Sequence, residues 1–286
     1  MTIPVIVDSP WVQRRRAAVT VCDVRWYLDG RSGRAAFAAG HLPGAVFVDL
    51  DRWLAAPPSR AFGRHPLPAP AVFARGMREV GIDNGTTMVA YDDSGGGTAA
   101  RLVWMLRACG EQAALLDGGV RGWPDPLSQV APVITPGTFA PIAWPHDRVV
   151  DADAVSTSIA AGGAVIDARA ALRYRGQTEP VDPRAGHIPG AVNLPYTGNV
   201  DPDTRRFLPA DVLRERYAAA GVTAASDAIV YCGSGVTACH ALLAMEHAGL
   251  DGARLYAGSW SQWSGDPARP IATGAAPGTP TAGEQP

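Results

Sequence analysis

Short apolar runs rich in β-branched residues alternate along the chain with longer helix-forming stretches. Two of these apolar runs are VID from Val165 and IVY from Ile229. Gly, Pro, Asp or Ser residues lie before or after many of the other apolar runs. The predicted order is strand, helix, turn, strand, helix, strand, loop, helix, strand, and it occurs twice. Strands that alternate with helices in this way predict an α/β fold in which helices flank a parallel sheet.

Several motifs occur once in each half of the chain. GHLPGA at Gly40–Ala45 returns as GHIPGA at Gly186–Ala191, and LLDGGVRGW ending at Trp123 corresponds to LYAGSWSQW ending at Trp263. Such self-similarity indicates a duplicated domain, and 286 residues are enough for two cores. We therefore predict domains at residues 1–130 and 151–272, a Pro- and Gly-rich linker at 131–150, and a disordered tail at 273–286.

One loop in the second half has the composition of a nucleophile site. The apolar run at Ile229 leads directly into CGSGVTA, and a helix is predicted from about Thr237, which places Cys232 between a strand and a helix. A glycine-rich turn at a helix N-terminus directs backbone N–H groups at one point and favours an anion, so we expect this thiol to ionise easily. The first half has Asp92 instead of the cysteine. The residues expected to surround the sulfur are Gly233, Ser234, Gly235, Val236 and Thr237.

The remaining cysteines, Cys22, Cys109 and Cys239, are interpreted as small buried hydrophobic residues. No CxxC spacing indicates a zinc site or a disulfide framework. All 25 basic residues are arginine, which excludes Schiff-base chemistry on lysine. The sequence therefore implies neither a metal nor an organic cofactor.

Charge and hydropathy narrow the class of partner. The formal charge is −2 and no basic cluster is present, which argues against nucleic acid; the short run Arg14–Arg16 is interpreted as a solvated helix face. No stretch approaches the roughly 20 apolar residues of a membrane span, and the N-terminus lacks the pattern of a signal peptide. We expect a soluble cytoplasmic protein.

Taken in this order, the paired GH(L/I)PGA motifs, the single CGSGVTA loop and the following GSWSQW closely resemble tandem-domain rhodanese-family sulfurtransferases. That group includes thiosulfate and 3-mercaptopyruvate sulfurtransferases, and the resemblance covers nearly the whole chain apart from the tail. It implies that a small anionic donor gives its sulfane sulfur to Cys232 as a persulfide. Cyanide or a reduced thiol, such as that of a thioredoxin-like protein, would then accept the sulfur. The N-terminal copy is expected to be non-catalytic.

The loop also carries a hypothesis about the donor. Family members that use thiosulfate tend to have cationic side chains directly after the cysteine, whereas this chain has the small neutral Gly233 and Ser234. The pattern is more similar to the mercaptopyruvate type. The Ser234 hydroxyl would hydrogen-bond the sulfur or relay a proton to the leaving enolate, and an ordinary turn serine is the alternative.

The resemblance also implies substrate-binding residues. Arg173 matches the arginine of an RYxG motif, and Arg184 is the candidate for a second arginine, although it lies closer to the following GHIPGA than that pattern has it; Arg175 is a rival. From the N-terminal half, Asp51 and His65 match an acid and a histidine of the interdomain cleft, and Arg64 would add positive charge. Side chains found in both copies are interpreted as structural: Asp23, Arg25, His41, Asp167, Arg169 and His187.

Two other classes were compared with this hypothesis. A cysteine phosphatase of related fold needs Cys-x5-Arg to clamp phosphate, but the sixth residue after Cys232 is Ala238, which rejects that class. A non-catalytic sulfur carrier or regulatory binding module remains the alternative, because related domains exist without the cysteine.

Overall fold

In a computed structural model, which describes residues 3–222 and 224–279, the chain divides into two compact units. The first comprises residues 1–56, 67–145 and 200–207, and the second comprises residues 57–66, 146–199 and 208–286. The division follows the repeat except for two short segments. Residues 57–66 belong to the second unit although they lie in the N-terminal half, and residues 200–207 belong to the first.

The first unit is built on a parallel five-stranded sheet. Its strands are β1 (Ile6–Val7), β2 (Val19–Asp23), β3 (Val46–Phe47), β4 (Thr87–Tyr91) and β5 (Ala113–Leu116). Their order across the sheet is β1-β5-β4-β2-β3. Its helices are α1 (Ser9–Arg14), α2 (Gly33–Ala39), α3 (Pro70–Glu79) and α4 (Ala99–Ala108), with a π-helical turn at Leu50–Leu54 and a 3-10 turn at Gly119–Gly122.

The second unit repeats this topology. Its strands are β6 (Val149–Val150), β7 (Val165–Asp167), β8 (Val192–Asn193), β9 (Ile229–Tyr231) and β10 (Arg254–Tyr256). Their order, β6-β10-β9-β7-β8, matches that of the first sheet strand for strand. Its helices are α5 (Ala152–Ala160), α6 (Ala171–Tyr174), α7 (Ala210–Ala219), α8 (Thr237–His247) and α9 (Ser259–Trp263), with 3-10 turns at Tyr196–Asn199 and Ala225–Asp227. The predicted α/β fold of two parallel sheets is confirmed.

The central strand of the second sheet, β9, is apolar along its length because both faces of a parallel sheet are covered. All three residues of β9 are buried, as are most of those in α8 behind it. Ligands of open α/β sheets bind beyond the carboxyl ends of the strands, and β9 ends directly before Cys232. Within the described ranges, none of the helices is long and apolar enough to cross a membrane.

A buried Asp–Arg pair makes the same contacts in both units. The Arg169 guanidinium donates to both oxygens of Asp167, at 2.7 and 3.1 Å, and to the carbonyl oxygen of Gly186 at 2.6 Å. This pair ties β7 to the GHIPGA turn. The corresponding contacts in the first unit join Arg25, Asp23 and Gly40.

The histidines of the two GH(L/I)PGA motifs also have matching contacts. His41 Nδ1 lies 2.8 Å from the carbonyl oxygen of Phe37, and its ring stacks on that of Phe37 with centroids 3.9 Å apart. His187 has the same relation to Tyr174, at 2.8 Å and 3.7 Å. Both rings are buried and make contacts that maintain the fold.

Part of the segment expected to be a disordered tail has defined contacts. The Gly190 N–H donates to the carbonyl oxygen of Pro277 at 2.7 Å, and the Gly274 N–H donates to that of Arg175 at 3.0 Å. Residues 273–279 therefore pack on the second unit. The rest of the expected tail, 280–286, lies outside the described residues.

Candidate active site

The loop between β9 and α8 encloses the sulfur of Cys232. The side chain is only 2% exposed, and the Gly235 N–H donates to its Sγ at 3.1 Å. Gly235 has a φ of 78°, which turns the chain back toward the sulfur before α8 begins at Thr237. This N–H is one of the turn amides that the glycine-rich pattern predicted around the sulfur.

A second segment holds this loop from the other side. The Trp260 N–H donates to the carbonyl oxygen of Cys232 at 3.0 Å, and the Ser261 N–H donates to that of Gly233 at 2.9 Å. The Cys232 N–H in turn donates to the hydroxyl of Ser259 at 3.2 Å. The GSWSQW segment therefore fixes the backbone of Cys232 and Gly233.

Ser234 and His65 form a buried pair beside the cysteine. His65 Nδ1 and Ser234 Oγ share a hydrogen bond of 2.7 Å, and the two residues are 6% and 7% exposed. The backbone of the 57–66 segment belongs to the same unit as Cys232, so this contact is internal to the second unit. A hydroxyl bonded to an imidazole can pass a proton in either direction.

Two guanidinium groups converge on Gly233. A Cβ on Gly233 would lie 3.1 Å from Arg64 Nη2 and 3.3 Å from Arg173 Nη1, so glycine leaves this space to the two cations. The Arg64 N–H donates to Ser261 Oγ at 3.0 Å, which anchors the 57–66 segment at the loop. Arg64 Nε is buried and has no hydrogen-bond partner among the described residues. Nε and Nη2 form the edge with which a guanidinium binds a carboxylate.

Two buried acids hold these arginines in place. Asp182 accepts from Arg64 Nη1 at 2.6 Å and from Arg173 Nη2 at 2.9 Å, so it bridges them. Glu179 accepts from Arg173 Nη2 at 2.6 Å and from Arg169 Nη1 at 3.3 Å. Burial raises the pKa of Asp182, while the adjacent arginines act against that rise.

Sequence reasoning missed both acids, although Glu179 and Asp182 stand on the same RYRGQTEPVDPR segment as the predicted arginines. The available signal was the pair of acids three residues apart between cations. Arg64, which pairs with Asp182, is distant in sequence, so the charge balance of the cluster was not visible from the segment alone.

The predicted substrate-binding residues differ in what their side chains contact. The Arg184 guanidinium donates to the carbonyl oxygens of Trp263, Ser264, Asp266 and Arg269. These main-chain hydrogen bonds stabilise the end of α9 and the residues after it. The substrate-binding role expected for Arg184 stays a prediction. Its rival Arg175 is exposed.

Asp51 belongs to the first unit. It lies in the π-helical turn after β3 and accepts a hydrogen bond of 2.8 Å from the Trp26 indole N–H. The predicted substrate-binding role of Asp51 therefore stays a prediction, whereas Arg173, Ser234 and His65 lie with the Cys232 loop in the second unit.

The corresponding loop of the first unit is filled by its own acid. The Asp92 carboxylate is buried and accepts four backbone N–H groups at 2.8 Å, and it also accepts the Thr98 hydroxyl at 3.0 Å. The loop retains the anion-binding arrangement, but a residue of the chain occupies it. The four N–H groups belong to Ser94, Gly96, Thr98 and Ala99.

The other thiols have surroundings that differ from those of Cys232. Burial raises the pKa of Cys22 to about 12 and that of Cys109 to about 11, which keeps both protonated near neutral pH. Cys239 donates to the carbonyl oxygen of Gly235 at 3.3 Å, so it supports the loop from within α8. All four cysteines are free.

Comparisons with known proteins agree with this architecture. The family model described as "Rhodanese-like domain" matches residues 10–125 and 151–266. A Pseudomonas aeruginosa protein assigned as a 3-mercaptopyruvate sulfurtransferase is 43% identical over 265 residues, covering 89% of this chain and 92% of that protein. A Mycobacterium tuberculosis protein assigned as a thiosulfate sulfurtransferase is 38% identical over 263 residues, covering 90% and 92%.

A solved structure extends the likeness to three dimensions. The crystal structure of the 3-mercaptopyruvate enzyme SseA from Escherichia coli superposes with a TM-score of 0.77 at 32% identity, covering 91% of this chain and all of that one. Both the family match and these relatives span most of the molecule. The chain therefore belongs to the rhodanese family and is a sulfurtransferase with two tandem rhodanese-like domains.

Proposed function

We propose that this sulfurtransferase takes sulfur from 3-mercaptopyruvate, holds it as a persulfide on Cys232 and delivers it to cyanide or to a reduced thiol. One observation carries the proposal: the Cys232 sulfur accepts the Gly235 N–H at 3.1 Å in a loop whose Gly233 faces two guanidinium groups. A nucleophilic sulfur and an anion-binding site thus adjoin each other. The Pseudomonas and Escherichia relatives are named for this donor.

The donor step is a sulfur displacement. The Cys232 thiolate attacks the thiol sulfur of 3-mercaptopyruvate, an S–S bond forms, and the C–S bond breaks with its electron pair left on carbon. The product is a persulfide and the enolate of pyruvate, which becomes pyruvate when it gains one proton. The thiol proton of the donor leaves with the persulfide and is released as that group ionises. The acceptor then removes the outer sulfur and regenerates the thiolate.

Arg64 and Arg173 supply the cations for the donor's carboxylate. Arg64 offers Nε and Nη2, and Arg173 offers Nη1, since their other groups are used by Asp182 and Glu179. A carboxylate between them gains charge-assisted hydrogen bonds. The position beside Gly233 brings the rest of a three-carbon donor close to the sulfur of Cys232.

The charge of this cluster supports a singly charged donor. Two arginines face Gly233, and the buried carboxylates of Asp182 and Glu179 pair with them, so the four side chains sum to zero. The loop residues Gly233 and Ser234 add no cation. A dianion such as thiosulfate gains more from an excess of positive charge than a monoanion does.

Ser234 and His65 deliver the proton that the enolate needs. Their 2.7 Å hydrogen bond lets the hydroxyl donate to the substrate while the imidazole replaces that proton. Burial of both residues limits competition from water. Asp51 remains a proposed substrate-binding residue.

The N-terminal copy is proposed to be non-catalytic. Asp92 stands at the position of Cys232, and an aspartate has no thiol that could carry sulfur as a persulfide. Its carboxylate already binds the backbone N–H groups of its loop. The first unit would then have no sulfur-carrying residue of its own at this position.

The proposal is tested by measuring kcat/KM for 3-mercaptopyruvate and for thiosulfate, each with cyanide and with a dithiol as acceptor. We expect mercaptopyruvate to be preferred at least tenfold, about 1.4 kcal/mol in transition-state free energy. Cys232→Ser serves as the blank and should abolish transfer. A preference for thiosulfate would reject the donor assignment, and no activity with either donor would favour a binding module.

A further inference from the structure

Ser259 has a backbone conformation that side-chain-bearing residues avoid. Its φ is 53°, it is completely buried, and only one other non-glycine residue in the described ranges, Arg205, has a positive φ. A Cβ in the left-handed region approaches the backbone closely and costs free energy. The serine is therefore maintained here against a conformational penalty.

The repeat provides an internal reference for this position. Gly119 corresponds to Ser259 in the aligned motifs and has nearly the same φ, 54°. The following residues also correspond, because the Val120 N–H donates to the Asp92 carbonyl oxygen at 2.9 Å just as Trp260 donates to Cys232 at 3.0 Å. Both copies need the left-handed turn, and only the cysteine-bearing copy has a side chain in it.

The two copies also differ in the space available at this turn. A Cβ on Gly119 would lie 2.2 Å from the Asp92 carbonyl oxygen, so the first unit leaves no room for one. In the second unit the Ser259 hydroxyl accepts the Cys232 N–H at 3.2 Å and donates to the Tyr256 carbonyl oxygen at 2.9 Å. The hydroxyl thus connects the end of β10 to the nucleophile.

We propose that Ser259 is a positioning residue for Cys232: its hydroxyl fixes the nucleophile's backbone N–H, and the left-handed backbone is what places the hydroxyl there. The inference rests on the proposed sulfur transfer at Cys232. Holding the cysteine backbone keeps Sγ against the Gly235 N–H and directed at the donor. Displacement of a reacting group by about 1 Å can lower rates by up to about a hundredfold.

Two substitutions separate positioning from folding. Ser259→Gly removes the hydroxyl and the conformational penalty together, whereas Ser259→Ala removes the hydroxyl and keeps the penalty. We expect kcat/KM for mercaptopyruvate to fall about tenfold in both variants. The thermal midpoint should stay within about 2 °C of wild type for glycine and fall by about 3 °C or more for alanine.

Ser264→Ala is the matched control. Ser264 is a buried serine at the end of the same helix, and its Oγ has no hydrogen-bond partner within the part of the chain that the structure describes. Its replacement should leave kcat/KM unchanged. Wild-type activity in Ser259→Gly would overturn the proposal, as would equal losses of thermal midpoint in the glycine and alanine variants.

A second readout does not depend on sulfur transfer. Iodoacetamide alkylation of Cys232 is followed at pH 8 by peptide mass spectrometry, where Cys22 and Cys109 stay protonated because burial raises their pKa to about 12 and about 11. Ser259→Gly should slow alkylation of Cys232 about threefold, because the sulfur loses its fixed place at the Gly235 N–H. An unchanged rate would overturn the proposal even if the native protein proved inactive with both donors, which by itself would reject only the proposed function.

Discussion

The Ser234 side chain has a partner that an ordinary turn serine lacks. A turn serine usually bonds its own backbone or water, whereas Ser234 is buried and hydrogen-bonded to His65 at 2.7 Å. The chemistry of the two donors makes this difference measurable. When mercaptopyruvate gives up its sulfur, the leaving group is an enolate that needs a proton. When thiosulfate gives up its sulfur, the leaving group is sulfite, which needs none.

Ser234→Ala should therefore affect the two donors unequally. We expect kcat/KM for mercaptopyruvate to fall about a hundredfold and that for thiosulfate by less than about threefold, since only the first loses general-acid catalysis. Steady-state kinetics with cyanide as acceptor measures both. Ser234→Thr keeps a hydroxyl and should retain most of the activity. Equal losses with both donors would indicate that Ser234 merely supports the loop.

At the level of elements, the two loops after β4 and β9 use the same backbone arrangement for different purposes. In the second unit a backbone N–H faces the sulfur that we propose to react, and in the first unit four N–H groups bind the Asp92 carboxylate. A buried carboxylate at the start of α4 also interacts favourably with the helix dipole. Asp92 should therefore contribute strongly to the stability of its unit.

Asp92→Ala should lower the free energy of unfolding by about 3 kcal/mol, because several buried donors lose their acceptor at once. Asp151→Ala is a suitable comparison, since the exposed Asp151 caps α5 through a single N–H, that of Ala154 at 2.8 Å, and its loss should cost about 1 kcal/mol. Urea denaturation measures both. Similar costs for the two variants would show that the Asp92 contacts add nothing beyond an ordinary helix cap.

The elements were predictable because their signals are local and occur twice. The runs at Val165 and Ile229 are β-branched and closed by turn residues, and the repeated GH(L/I)PGA motifs align the two halves. Short edge strands of two residues, such as β3 and β8, carry little signal of their own. Their pairing depends on tertiary packing, which no local pattern encodes.

At the scale of the whole molecule, the candidate site combines residues that are far apart in sequence. Cys232 and its glycine-rich loop were predictable because one strand-loop-helix segment contains them. Arg64 and Asp182 meet across 118 positions of the chain, and no periodicity indicates such a pair. Arg184 was assigned from its place in a motif, yet neighbouring carbonyl oxygens occupy its guanidinium.

The shared carboxylate of Asp182 predicts that Arg64 and Arg173 act together. Arg64→Ala and Arg173→Ala should each lower kcat/KM for mercaptopyruvate between about tenfold and a hundredfold, while the double variant should lose less than the product of the two. Each single change already disturbs the bridge that holds the other cation. Arg175→Ala, an exposed arginine on the same segment, is the control and should have little effect. Multiplicative losses would mean that the two arginines act separately.

Each half of the chain contains one short segment that belongs to the unit of the other half, and this affects the order in which the units fold during synthesis. Residues 57–66 are synthesised long before the rest of the second unit. Residues 200–207 complete the first unit only after residues 146–199 of the second have been synthesised. Domains of many proteins fold in sequence as the ribosome releases them. Here neither unit can be complete before residue 207 is synthesised. The His65–Ser234 pair and the Arg64–Asp182 bridge therefore form late in synthesis, because their second residues come after residue 180. A ribosome that stalls in the linker leaves a nascent first unit without its last segment, residues 200–207.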